Sequence, residues 1–389
     1  MTTHSWKRTL MTAYQSRPTH ETERSWRTFV DRATLPAAPT TVTVSRNRFL
    51  RRCMTLSILD VLPIVSGSTA AEALRRAADL ARLADRRGYT RLWFAEHHGM
   101  GGIASSSPEL LIGHAAMLTE RVRVGAGGVM LPNHTPLQVV ERYRTLEALH
   151  PGRIDLGIGR AAGTDPLTAQ ALRSVPGERV GHLMAELRAF AEGKFPDGHP
   201  FERVGVTPDG VALPPIWMLG SSGGSARLAG QMGAGYAFAG HFSPTPAAPA
   251  IDLYRDEFVP SADFPEPHVI LALSVICADT PTVARELASS IEILFQRMRT
   301  GETGPVPSPA EARAAGWLAD AVPRGPMAQL LIAGTPDDVR ERIEAAVREA
   351  GADEAMVMTI VHDPDARLRS YALLADAFEL ETVPPTMPD

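Results

Sequence analysis

Cysteine is nearly missing from this 389-residue chain. Only Cys53 and Cys277 occur, far apart and without paired zinc or dithiol spacing, so a disulfide framework is excluded and a reducing, cytoplasmic setting is expected. Apolar runs near the ~20 residues of a membrane span are lacking too, and with them any expectation of a membrane partner. A basic body is also absent. Residues 1–53 carry 10 Lys and Arg against 3 Asp and Glu, which leaves 29 basic and 41 acidic residues, out of totals of 39 and 44, for the rest. Such a body repels a phosphate backbone, so nucleic acid is not expected as a partner.

The first 53 residues are rich in Arg, Ser and Thr, show no hydrophobic periodicity, and lack the ~7–15 residue apolar centre of a secretory signal. They read as a disordered extension. Patterned sequence begins at Met54, itself a candidate start, and runs to about residue 380, with a short tail over 381–389. That length suffices for one large domain with a sizeable core.

From Met54 to Leu62 the chain is apolar and strand-like until Pro63 stops it. Ala70 to Arg87 then combines strong helix formers with Leu74, Ala77, Ala78, Ala81 and Leu83 near helical spacing, capped by Ser68 or Thr69 and closed by Gly88. The unit recurs. Further strands are expected from Arg91 to Ala95, Val122 to Leu131, Ile154 to Ile158, Ile216 to Leu219, Tyr236 to Ala239, His268 to Cys277 and Ala355 to Val361, with helices between. Gly125, Gly127 and Gly128 interrupt the third strand and mark a bulge or the close approach of a ligand. Thr300 to Gly325 carries no clear pattern and reads as an excursion over one mouth, where such loops often act as lids. About eight strand and helix units make a (β/α)8 TIM barrel, whose working residues lie at the C-terminal strand ends.

Three motifs carry candidate chemistry. The strand around Trp93 ends in Glu96, His97, His98 and Gly99. Adjacent strand residues point to opposite faces, so His97 and His98 cannot share a pocket; a two-histidine chelate fails and no metal is expected. His97 alone is a candidate for moving a proton, with a rim hydrogen bond as the plain alternative. Gly157 to Ala162 follows a strand, but Gly163-Thr164-Asp165-Pro166 comes next and leaves no helix start for a pyrophosphate, so a dinucleotide fingerprint is unsupported. Arg160 reads as an anion clamp or a rim salt bridge. Gly220-Ser221-Ser222-Gly223-Gly224 has the form of a nucleophile elbow, with Ser222 as a hydrolase nucleophile and His97 to Gly102 as its oxyanion loop. It equally makes a phosphate cradle at a helix start, or a tight turn, and Arg160 on a neighbouring strand favours the cradle. His114, within an apolar helical segment, reads as core; His134 is a candidate for lining the mouth.

Trp93 to His98, Val124 to Pro132, Gly152 to Arg160 and Gly220 to Gly233 occur together in an order and spacing that resemble the bacterial luciferase-like flavin-dependent monooxygenases. The resemblance spans about Thr55 to Phe378 and is nearest to the stand-alone luciferase-like oxidoreductases. It implies FMN at the C-terminal mouth, His97 as the histidine that supports oxygen chemistry, and Arg160 as the clamp on the FMN phosphate. It places Ser221, Ser222 and Ser225 in the phosphate-binding turn, and Gly127 and Gly128 behind the flavin ring, often joined by a cis peptide. The implied reaction uses reduced FMN and O2 to form a flavin hydroperoxide that oxygenates a small organic substrate in a dry mouth. No separate nicotinamide domain is visible, so reduced FMN is expected from a partner flavin reductase, although some relatives use NAD(P)H directly; a homodimer is expected by resemblance. Competing readings are a deazaflavin-dependent dehydrogenase on the same barrel, a serine hydrolase using Ser222, and a non-catalytic flavin binder.

Overall fold

The computed structural model describes residues 54–317 and 330–382. The arm over residues 1–53, the end of the Thr300 to Gly325 excursion and the tail beyond residue 382 lie outside the described residues.

Strand and helix alternate along the chain. The first part holds β1 (Thr55–Asp60), α1 (Ala70–Arg86), β2 (Arg91–Phe94), α2 (Pro108–Met117), β3 (Arg123–Ala126), β4 (Val129–Met130) and α3 (Pro136–Leu149). Then come β5 (Ile154–Gly159), α4 (Pro166–Ala171), α5 (Val180–Glu192), β6 (Ile216–Gly220), α6 (Gly223–Met232), β7 (Gly235–Phe238) and α7 (Ala248–Asp256). The last part holds β8 (Val269–Cys277), α8 (Pro281–Arg299), α9 (Pro309–Ala314), β9 (Leu331–Gly334), α10 (Pro336–Ala350), β10 (Glu354–Met358) and α11 (Pro364–Ala377). Every strand pair is parallel, and β10 pairs with both β1 and β8, which closes the sheet. With β3 and β4 as one interrupted stave and β9, paired only to β8, outside the closed ring, the result is the expected eight-stave (β/α)8 barrel.

Local chemistry sets the element ends. Thr69 and Glu72 form a capping box at the start of α1, and Ala77, Leu80, Ala81 and Ala84 make its buried stripe. Gly193, Gly233 and Gly351 end α5, α6 and α10 in the left-handed conformation, where a side chain would be strained.

Alternation divides each strand between two apolar layers. Ile58, Leu92, Phe94, Val124 and Leu271 face the helices, while Leu59, Trp93, Ala95, Trp217, Ala237, Ile270, Ala272 and Met356 fill the barrel. The bottom of the barrel is ionic. Arg91 reaches Asp155 Oδ2 at 2.8 Å and Glu354 Oε1 at 3.1 Å, and Arg123 reaches Asp155 Oδ1 at 2.6 Å. Above this plug Trp93 meets Trp217 edge to face at 5.5 Å and donates its Nε1–H to Asp155 at 3.0 Å. Higher still, Ala95, Gly127, Gly157, Ala237 and Ala272 occupy the inward register, with the Leu59 side chain against Gly127 and that of Leu219 against Gly157.

Several elements differ from the sequence reading. The third strand is not continuous: the five residues from Gly125 to Val129 lie opposite the four from Asp155 to Ile158, a bulge at Ala126-Gly127-Gly128. Its glycines answer to neighbouring protein, because a Cβ on Gly128 would stand 2.7 Å from the Gly157 carbonyl carbon. Strand β9 was unread, since a four-residue apolar run beside an Ala, Gly and Pro-rich segment has no visible period; it pairs only with Ser274–Cys277 of β8. The excursion is patterned where described. Ser308 and Glu311 box the start of α9, and Val306, 1% exposed, bridges to Val65 in the loop after β1.

Candidate active site

Glu96 is the pivot of the mouth. Fully buried at the end of β2, it accepts hydrogen bonds from His98 Nε2 at 2.8 Å, His134 Nε2 at 2.9 Å, Asn133 Nδ2 at 3.3 Å and the Met130 amide at 2.9 Å. Burial pushes its carboxyl upward, but these donors outweigh it and hold the group below the usual carboxylate range. His134 therefore braces Glu96. His114 is exposed on α2 rather than in the core, because α2 buries Leu111, Ile112, Ala115 and Ala116 and turns position 114 outward.

His97 and His98 lie just past the end of β2 and take different partners. Its amide donates to Ser105 O at 2.9 Å, and its Nδ1 lies 2.9 Å from Gly163 O. A carbonyl only accepts, so Nδ1 carries the proton and Nε2 of the neutral ring keeps its lone pair.

The loop after β5 that supplies Gly163 also supplies Arg160. Its Nη2 donates to Ser222 Oγ at 2.9 Å, and a Cβ on Gly224 would stand 3.2 Å from Nη1, so the guanidinium lies on the first turn of α6. Ser221 is half-buried and Ser222 exposed, whereas Ser225 is fully enclosed and donates to Ser222 O at 2.8 Å. Gly127 and Gly128 line the β3–β4 bulge and are joined by a cis peptide. Asp165 caps α4 by accepting from Leu167 and Thr168 amides, so a carboxylate sits where a dinucleotide pyrophosphate would bind. Cys277 is buried, and burial pushes its thiol up to about 12, which leaves no thiolate near neutral pH. Among the described residues no cluster of side chains has the make-up of a metal site.

Two polar groups at the mouth went unread. His241 stands three residues beyond β7, as His97 stands three beyond β2, and its Nδ1 is buried without a partner. Ser274 on β8 is 1% exposed with an equally unpaired Oγ. Inward parity along each strand was the available signal, and it needs strand ends fixed to within one residue.

Residues 54–354 match the family model described as luciferase-like monooxygenase. A protein of Escherichia coli K12 described as a luciferase-like monooxygenase is 40% identical over 332 residues, 84% of this chain and 98% of its own. An N-acetyl-S-alkylcysteine monooxygenase of Bacillus subtilis is 33% identical over 330 residues, 83% of this chain and 97% of its own. The crystal structure of apo-MsnO8 is 38% identical and aligns with a TM-score of 0.78 over 85% of this chain and 100% of that one. More distant structures share the fold alone. They include the oxygenating constituent of a Pseudomonas putida Baeyer-Villiger monooxygenase in complex with FMN, at 20% identity and TM-score 0.64, covering 86% of this chain and 99% of that one. An F420-dependent secondary alcohol dehydrogenase, at 16% and 0.61, covers 84% and 99%.

Proposed function

This chain belongs to the luciferase-like monooxygenase family, and from that premise we propose that it is an FMN-dependent monooxygenase acting with O2 on a small organic substrate. One observation carries the reading: Arg160 is held against Ser222 on the glycine-rich first turn of α6. A fixed guanidinium beside the free amides of a helix start suits a phosphate group, and glycine at 224 leaves the room for it. The hydrolase lacks its base, because among the described residues no hydrogen bond is recorded between Ser222 Oγ and an imidazole. The deazaflavin reading shares only the fold, whereas the monooxygenase description comes from relatives that match nearly their whole length.

Reduced FMN, when bound, supplies the electrons that activate dioxygen for transfer of one oxygen atom. The chain's part is positional. Arg160 and Ser222 would hold the phosphate, with Ser221 beside them and Ser225 bracing the turn from inside, and the bulge at Gly127 and Gly128 would back the ring. His97, its Nδ1–H engaged by Gly163 O, presents Nε2 to take up and return one proton. Ile291 and Phe295 of α8, in one apolar cluster with Ile276, Val306 and Leu331, would keep water from the reacting centre. Reduced FMN from a separate reductase belongs to this reading, supported by the printed description of one fold neighbour as an oxygenating constituent. So does a homodimer, supported by Leu110 and Met117, which stand exposed on α2.

Titrating the protein with FMN and with riboflavin, which lacks the phosphate, tests the reading. Arg160→Ala should weaken FMN binding ~10–100-fold, the worth of a charged hydrogen bond, and leave riboflavin unchanged. Failure of the wild type to bind FMN, or an equal loss for both flavins, would overturn it.

A further inference from the structure

The mechanism above uses neither His241, three residues beyond the end of β7, nor Ser274 on the neighbouring stave β8. Gly240 packs so closely on β8 that a Cβ there would stand 2.8 Å from Ala272 O, which sets His241 beside the inward face that carries Ser274 two residues on. Both have a buried polar atom with no partner in the protein, His241 Nδ1 and Ser274 Oγ. A buried polar atom left without a partner is destabilising, so two of them at the same end of neighbouring barrel units point to a ligand that satisfies them.

The surroundings define that ligand. Ala272 and Ile276 flank Ser274 along the inward register of β8, Ala237 precedes His241 on that of β7, and Met358 of β10 pairs with Ser274 in register. These are apolar neighbours. Burial, with His97 opposing a second charge, pushes His241 down to about 4, so the ring stays neutral through the physiological range. Among the described residues no carboxylate or guanidinium is recorded bonded to either side chain. An anion brought here would meet one neutral imidazole and one hydroxyl, and its desolvation would go uncompensated.

We propose that His241 and Ser274 are the specificity pair of the substrate pocket, selecting an uncharged molecule with a mainly apolar body and one hydrogen-bonding group over its anionic counterpart. In the strand order β2 and β7 are four staves apart of eight, so the bound group faces His97 across the mouth. The inference rests on the monooxygenase reading for the identity of that molecule as substrate, but the pocket's selectivity is measurable without flavin.

The test uses hexanamide and hexanoate, near-isosteric probes that differ in charge, titrated against the full chain with and without FMN. Binding is followed by tryptophan fluorescence and by the 15N shift of the His241 ring. Hexanamide should bind at least tenfold more tightly than hexanoate and move the His241 Nδ1 resonance. His241→Ala and Ser274→Ala should each weaken hexanamide ~3–10-fold, one neutral hydrogen bond, with FMN affinity within about twofold of wild type, and His241→Gln should restore part of the loss. Absent hexanamide binding, equal or better hexanoate binding, or unchanged hexanamide binding in both alanine variants overturns the proposal. A failure of the flavin reading is distinct, since it shows as wild-type protein that takes hexanamide but no FMN.

Discussion

At the scale of single residues, the site turns on which nitrogen of His97 holds a proton. Gly163 O settles it, because only a donor can sit 2.9 Å from a carbonyl oxygen. NMR of 15N-labelled protein should therefore find the neutral ring protonated on Nδ1. Replacing His97 with Ala should lower product formed per reduced FMN consumed by ~10²- to 10⁴-fold while FMN affinity holds, the signature of a lost proton carrier. An equal fall in affinity would instead mean that His97 only shapes the pocket. Glu96, His97 and His98 were legible as strand-end chemistry, and the two imidazoles take different partners, Gly163 O and Glu96. The role of Glu96 as a pivot was not, since Asn133 and His134 reach it only after two loops fold together.

Among the elements, the β3–β4 bulge and the insert after α8 were read least well. Gly157 lies where β5 passes the bulge, and a Cβ there would land on the Ala126 carbonyl oxygen. Gly157→Ala should cost about 1–3 kcal/mol of overpacking, read as a lower Tm and a denaturant midpoint shifted without change in slope. Glycine composition announced a bulge at this place, but the choice between a ligand and a neighbouring strand needed the strand itself. In the insert, Glu311 joins α9 to the loop after β1. The Ser66 hydroxyl, then the Ser308 amide and hydroxyl, hold its carboxyl down to about 2. Because the folded pKa lies below the ordinary carboxylate value, this tether is intact above about pH 4.5 and is lost as pH falls toward 2. Hydrogen exchange at the Val306 amide, which bonds Ile64 O at 2.7 Å, should speed up in that window, and in Glu311→Ala at neutral pH.

For the whole molecule, stability and chemistry occupy opposite ends of one barrel. Asp155 and Glu354 are fully buried at the bottom; burial raises both carboxyls, but Arg91 and Arg123 beside Asp155, and Arg91 with His268 beside Glu354, bring both below their usual values. Depressed carboxylates add stability above the ordinary carboxylate range and lose it as pH falls through their lowered values, so unfolding should become easier in mild acid. Glu354→Gln should cost about 3 kcal/mol at pH 7 and flatten that acid dependence, since Arg91 loses one buried partner. FMN affinity at the far mouth should be unaffected.

The sequence by itself determined the barrel and where His97, Arg160 and the Ser221 to Ser225 turn fall along its strand and helix units. Those follow from period, glycine and cap chemistry, which act over a few residues and are written locally. Only the tertiary structure decided what touches what. The guanidinium of Arg160 meets Ser222 across 62 positions and Ser66 meets Glu311 across 245, while His241 and Ser274 belong to neighbouring barrel units. Side-chain partners so far apart in sequence are fixed by register and loop packing, which depend on every strand end at once, and no local pattern carries them.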